Sequence, residues 1–327
     1  MTGPAHTPKH SEQSGASSDH FHLGGQAVLE GVMLRGKRNW VLSVRAPDDT
    51  IIVQARKLNS LLERSPIARL PLIRGFIALI ESLTLGVRAI SISAQQAAGE
   101  QEEELSAREI AVAIAISILL AVVLFIAVPA AFARALYELF ESPLLINLLE
   151  GLVKIAIFTG YIWAISHIKD IARVFEYHGA EHKVIHSHEA GETVSVETAT
   201  KHTTLHVRCG TSFLLLVLVL SIFIFSFLGR PPLLERVLYH IAIIPLIAGM
   251  AYEVIKAAGS RPSRIIRAVV APGLALQRLT TREPSPSQIE VAIVALEKLL
   301  KVENGEHPSV AIDGDLLEEE RIAPASA

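Results

Sequence analysis

Three histidines spaced four apart, His178, His182 and His186, share one face of any helix that holds them. Glu181 sits beside them, so 178–182 reads His-x-x-Glu-His, the inverted form of the zinc-protease motif. In that chemistry two imidazoles bind the metal and the carboxylate serves as general base. Two imidazoles with one carboxylate or thiolate would hold a divalent metal, Zn²⁺ first among them, and leave a position for water. The competing reading is a set of interfacial histidines making ordinary hydrogen bonds.

Other ligating and acid–base groups join this neighbourhood by topology. His167 ends one apolar segment, His202, His206 and Cys209 stand just before the next, and Glu253 closes the last. The candidate metal ligands are therefore His178, His182, His186, His206 and Cys209. The candidate catalytic residues are Glu181 and Glu253. An ionisable residue at the end of an apolar helix is a functional candidate by default; snorkelling to the interface is the plainer explanation. Cys209 is the only cysteine, so an intramolecular disulfide is excluded. It remains available as a ligand, a nucleophile or a small packing residue.

The elements that position these groups follow from composition and periodicity. The chain has 327 residues, 50% hydrophobic and 19% charged. Soluble domains carry about 25% charged residues, so lipid must replace water around part of this one. A net charge of −3 provides no bulk attraction to nucleic acid. Four segments, 110–133, 146–168, 211–229 and 238–254, are apolar and long enough to cross about 30 Å of hydrocarbon. In the second, Glu150 and Lys154 form a self-neutralising i,i+4 pair. In the fourth, Pro245 predicts a kink.

The segment 71–98 is helical by pattern, but Arg74, Glu81 and Arg88 recur every seven residues on one side. That stripe predicts a helix lying in the membrane interface or packed on the bundle. Residues 40–45 and 51–56 flank Pro47-Asp48-Asp49 and read as a β-hairpin, basic through Arg38, Arg45, Arg56 and Lys57. The glycines of 24–36 fit neither a Walker loop nor a dinucleotide fingerprint and read as turns and close packing.

The fold expected is mostly α: a polytopic membrane protein with about four transmembrane helices, a small N-terminal β-hairpin and an interfacial amphipathic helix. Residues 1–23 read as a disordered tail without a signal peptide. The hairpin and interfacial helix fill 24–105, and the four-helix membrane domain fills 106–258 with its His-rich loop at 169–210. A C-terminal region at 259–303 ends in an amphipathic helix, started by Ser285, Pro286 and Gln288 and striped by Ile289, Ile293, Leu296 and Leu300. Residues 304–327 read as a second disordered tail. Lys and Arg gather before the first span, in the middle loop and after the last span. That distribution puts both termini and the His-rich loop in the cytoplasm, with the chain in the plasma membrane. His240 and the Glu150–Lys154 pair fall in the outer half, away from the cluster.

Five motifs in order resemble the DUF1385 family, also called YqhQ-like, over about 24–300. They are Gly24-Gly25-Gln26-Ala27 through Glu30-Gly31-Val32-Met33, Tyr177 to Lys183, Arg208-Cys209-Gly210-Thr211-Ser212-Phe213, Tyr252-Glu253-Val254-Ile255-Lys256, and Pro272-Gly273-Leu274 with Gln277 to Pro284. The resemblance implies a bacterial membrane protein of a kind proposed to be a metal-dependent enzyme, with no established reaction. Ser187 stands where relatives often have Cys, and Val207 where Pro commonly precedes the Arg-Cys-Gly-Thr motif.

Three function classes stay open. The first is a membrane metalloenzyme of hydrolase type, with His178 and His182 on the metal, His206 or Cys209 as third ligand, and Glu181 or Glu253 as base or further ligand. The second is a non-enzymatic adaptor or regulator with a structural metal clip, using the hairpin or the C-terminal helix to dock a protein partner. The third is a metal transporter, against which the apolar interiors of the spans argue. The lipid bilayer is a partner in each.

Overall fold

The computed structural model describes residues 23–98, 107–227, 229, 233–260, 263–306 and 314–323. The N-terminal tail up to residue 22 lies outside them. Strands β1 (Gly24–Val28), β2 (Gly31–Arg35), β3 (Asn39–Arg45) and β4 (Ile51–Lys57) form an antiparallel meander. The β3–β4 pair is the hairpin expected from Pro47-Asp48-Asp49. The β1–β2 pair replaces the turns expected for 24–36. Its tight corner places Glu30 at φ 52, a conformation in which glycine is the usual choice, so no standard turn signal marked it.

Side chains alternate across the pleat. Val32, Leu34, Val41, Ile51, Val53 and Ala55 line one buried face. Met33, Trp40, Leu42 and Val44 line the other, equally buried. Both faces therefore need covering elements.

After a short helix α1 (Leu61–Arg64) and a 3₁₀ turn at Ile67–Arg69 comes α2 (Ile73–Ala98). Helices α3 (Ala107–Val122) and α4 (Val128–Leu136) are joined by a π-helical turn at Val123–Ala127. Then follow α5 (Pro143–Ile165), α6 (Lys169–Glu189), α7 (Val196–Thr200), α8 (Gly210–Ser226), α9 (Leu233–Ser260), α10 (Arg264–Thr280) and α11 (Pro286–Glu303). In α5 Lys154 and Glu150 pair at 2.9 Å, as their spacing predicts. In α11 Ser285 and Gln288 form the reciprocal cap read from the sequence. Its stripe is core rather than surface: Ile289 and Leu296 pack against the sheet beside Tyr177, Ala180, Val184 and Ile185 of α6.

The C-terminal tail, expected to be disordered, carries a strand. Residues Leu316–Ile322 form β5, antiparallel to β4, and complete the five-stranded sheet. Asp315 at its start accepts from both Arg56 and Arg88. Lys298 of α11 pairs with Glu318 and Glu320. Arg45, read as exposed, donates to Glu290 and to the Ser287 carbonyl, and Arg38 donates to the Glu303 carbonyl. The basic hairpin is thus the dock for the chain's own C-terminus. Truncation before residue 314 removes buried Leu317 and the pairs made by Asp315, Glu318 and Glu320. It should cost about 2 kcal/mol and lower the melting temperature in detergent; an unchanged melting temperature would show β5 to be an ornament.

Among the described residues, four helices are long and apolar enough to cross a membrane: Ile73–Ala98, Ala115–Leu136, Pro143–Ile165 and Ile241–Gly259. Gly210–Ser226 is apolar but shorter, about 26 Å at 1.5 Å per residue. Packing constrains which of them cross. Helix α6 lies on β1 and β2, and α11 lies on β2, β3 and β4. The number of crossings between the first strands and α6 must be even. Helices α2, α3–α4 and α5 lie between, so one stays on the sheet's side. Leu85 and Ala89 in the second half of α2 cover the sheet's other face, which ties that half of the helix to the sheet. Its Arg35–Glu81 pair at 2.8 Å supports the interfacial placement expected from the polar stripe. Two crossings by α8 and α9 would satisfy the same parity and return the chain to the sheet.

Candidate metal centre

Helix α6 is buried almost all round between Tyr177 and Ser187, unusual for a sequence so polar. Each polar side chain consequently has an assigned partner. The helix is fixed at both ends and in the middle. Arg173 and Tyr177 hold Glu30 at the β1–β2 corner. Lys183 donates to the carbonyls of Thr200 and His202 and pairs with Glu283. Gly179 is crossed by the segment after α10, where a Cβ would stand 2.0 Å from the Arg282 carbonyl oxygen.

The histidine stripe faces the segment 203–209. His178 Nδ1 bonds the Thr280 carbonyl at 2.7 Å, and His182 Nδ1 bonds the Thr204 carbonyl at 2.5 Å. His186 Nε2 bonds the Leu205 carbonyl at 2.9 Å. A carbonyl only accepts, so each of these ring nitrogens carries the hydrogen. The opposite nitrogen of each ring is left with a lone pair. His178 Nε2 lies 3.1 Å from Cys209 Sγ. One ligand atom each from His178, His182 and Cys209 falls within 4.8 Å of the others. Burial pushes the His182 and His186 pKa values down despite hydrogen bonds that favour the charged form, so both rings are biased towards the neutral, ligating state.

Glu181 is buried at 4% exposure beneath β1. A Cβ on Gly25 would meet its Oε1 at 2.2 Å, so glycine is what lets the carboxyl lie there. Burial raises its pKa, opposed by His178, His206 and Arg208. Glu181 Oε2 stands 3.6 Å from His182 Nε2. With one pKa raised and the other lowered, this is a contact biased towards two neutral groups rather than an ion pair.

His206 and Cys209 are placed by α10. Gln277 accepts from the His206 backbone N–H and donates to its carbonyl, both at 2.8 Å, and donates to Ser212 at 2.7 Å. Ser212 in turn abuts Gly273, where a Cβ would stand 2.8 Å from its Cα. A second grouping follows along the stripe: His186, Glu189 and His206 also offer ligand atoms within 4.8 Å of one another. Burial raises the Glu189 pKa, but hydrogen bonds from His206 and Arg208 outweigh it and hold the carboxyl at about 2.

Of the residues read from the sequence, His178, His182, His186, His206, Cys209 and Glu181 come together. Glu253 is engaged elsewhere: Arg74 of α2 grips it through two hydrogen bonds, at 2.6 and 2.5 Å. His202 pairs with Glu192 at 2.8 Å, and His167 donates to the Trp163 carbonyl. Glu189 was not singled out in the sequence, although it lies three residues after His186.

A family model described as "Protein of unknown function (DUF1385)" matches residues 70–302. The chain belongs to this family. It is also 34% identical over 296 residues to the "Uncharacterized protein YqhQ" of Bacillus subtilis (strain 168), covering 86% of this chain and 92% of that protein. No solved structure matches. Four of the five segments by which the chain resembles DUF1385 meet at the histidine stripe. Gly25 backs Glu181, Cys209 faces His178, Gln277 holds His206, and Thr280 accepts from His178. The fifth, around Glu253, anchors α2. Ser187, where DUF1385 relatives often have Cys, turns to Glu192 and Thr198 and takes no part in the stripe.

Proposed function

We propose that this protein is a plasma-membrane metalloenzyme of hydrolase type, with one divalent metal held by His178, His182 and Cys209 at the cytoplasmic face. The observation that carries the reading is the pairing of each histidine's second nitrogen with a backbone carbonyl. Metal-binding histidines are oriented in this way, with the tautomer fixed and the free lone pair aimed at the ion. Two nitrogens and one sulfur within 4.8 Å suit Zn²⁺. A bound Zn²⁺ supplies Lewis acidity and activates water. The role assigned to Glu181 is to hold and deliver the proton beside it, at Oε2. The Gly25 backbone keeps bulk water from that carboxyl.

The cytoplasmic assignment rests on the Lys and Arg distribution together with the shared sheet. β1–β5, α6 and α11 pack as one body, so all lie on one side, the side carrying the basic loops.

A structural metal clip is the second reading. It is favoured by the burial of His182 and Cys209 and by their origin in different parts of the fold, α6 and the start of α8. A closed, four-ligand site is the mark of structural zinc. Metal content of detergent-purified protein without a histidine tag tests both. Near-stoichiometric metal is expected in the wild type and none in the His178→Ala, His182→Ala pair; metal-free wild type after reconstitution would end the metal reading. Glu181→Gln then separates the two: full metal retention fits the base, and loss of metal fits a fourth ligand in a clip.

A further inference from the structure

The stripe on α6 continues one turn past the proposed centre, and the facing segment continues with it. His178 and His182 from the helix meet Cys209 from the segment; one turn on, His186 and Glu189 meet His206. The segment runs back along the helix, so moving from Cys209 to His206 follows the step from His178 to Glu189. The two groups adjoin: the rings of His182 and His206 have centroids 5.4 Å apart, and those of His186 and His206 4.7 Å.

We infer that His186, Glu189 and His206 form a second divalent-metal site next to the first, giving the protein a two-metal centre. The inference deepens the proposed metalloenzyme and rests on it. Three features of the second group support it. His186 gives its Nε2 hydrogen to the Leu205 carbonyl, so the neutral ring carries its lone pair at Nδ1. Glu189 is ionised and its Oε1 is held by Arg208, which leaves Oε2 facing His206 Nε2 at 3.6 Å. Arg208 is itself braced across Gly259 of α9, where a Cβ would stand 2.8 Å from its Cδ. One adjustment is required. Arg208 N–H donates to His206 Nδ1 at 3.3 Å; ligation through Nε2 moves the ring hydrogen to Nδ1 and gives up that long bond.

The donor sets differ, and the difference supplies the test. The first site includes a thiolate, whereas the second has two imidazoles and a carboxylate and prefers harder or borderline ions. Paired ions are the arrangement that clamps both the attacking and the leaving oxygen in hydrolytic displacements.

The experiment is titration of the metal-stripped, full-length protein in detergent with Co²⁺, read by absorbance and by bound cobalt. The wild type should take two equivalents, only one of them raising the thiolate-to-cobalt absorption. Glu189→Gln keeps the side chain's shape and its acceptor for Arg208. It should retain the thiolate band while binding of the other equivalent weakens about 10-fold or more. Saturation of the wild type at one equivalent, or two undiminished equivalents in Glu189→Gln, would overturn the second site and leave the first standing. Absence of both band and binding in the wild type would overturn both.

Discussion

Gly179→Ala should destabilise the protein by about 2 kcal/mol net and, if the proposed centre holds a metal, weaken its binding. The added methyl would meet the Arg282 carbonyl oxygen at 2.0 Å, so α6 and the segment after α10 must separate by more than an ångström. Overpacking of this kind costs about 1–3 kcal/mol and occasionally more, against a helix-propensity gain of about 1 kcal/mol. The same separation pulls His178 from the Thr280 carbonyl and the Arg282 N–H from the Phe175 carbonyl. The matched control is Gly160→Ala in α5, where a Cβ meets nothing within 4 Å. Melting curves in detergent should show a fall of roughly 5 °C or more for Gly179→Ala and none for Gly160→Ala. Equal behaviour of the two would remove the close crossing from the account.

Glu253→Leu should cost about 1–2 kcal/mol, because it removes a bidentate pair and leaves the half-buried Arg74 guanidinium without its acceptor. The pair is bidentate and sits where α2 docks on α9. There Gly75 and Gly249 bring the backbones together: added Cβ atoms would lie 2.6 Å from Tyr252 and 2.4 Å from the Leu72 carbonyl oxygen. Arg74→Met should cost a similar amount. The combined Arg74→Met, Glu253→Leu protein should recover most of the loss, since apolar replacement of a whole partly buried pair is close to neutral. A double-mutant cycle on thermal stability measures this. Additive losses would mean that the two residues act separately and would reopen Glu253 as a site residue.

The apolar helices, the polar stripe of α2 and the capped α11 were legible because each rests on local signals: apolar length, a heptad repeat, a capping box. The histidine stripe was legible for the same reason, since i,i+4 spacing fixes a face before any tertiary contact forms. Three features were not. The β1–β2 hairpin turns on Glu30 at positive φ, without the Asn-Gly or Asp-Gly signal that marks such corners. Strand β5 has the sequence Leu-Leu-Glu-Glu-Glu-Arg-Ile, too acidic to read as a strand until Lys298 and the arginines of the sheet are set beside it. Glu253 has the right depth but the wrong azimuth; its partner Arg74 comes from a helix distant in sequence. The carbonyls of Thr204, Leu205 and Thr280, which orient three histidines, are backbone groups that no side-chain pattern announces.

The sheet has its first four strands at one end of the chain and its fifth at the other. During synthesis β1–β4 therefore leave the ribosome long before the parts that cover them. One face, with Val32, Leu34, Val41 and Val53, waits for α6, which follows the apolar helices α3–α4 and α5, and then for α11, which follows α8 and α9. The outer edge of β4 stays unpaired until β5 emerges, and an open edge strand invites mispairing. Completion of this domain thus requires the apolar helices between its parts to leave them all on one side. A chain stalled, truncated or inserted upside down keeps its hydrophobic sheet exposed, the kind of surface that chaperones and proteases recognise. The pairing of β4 with β5 therefore ties together segments about 260 residues apart, whose separation the chain must bridge before the sheet is complete.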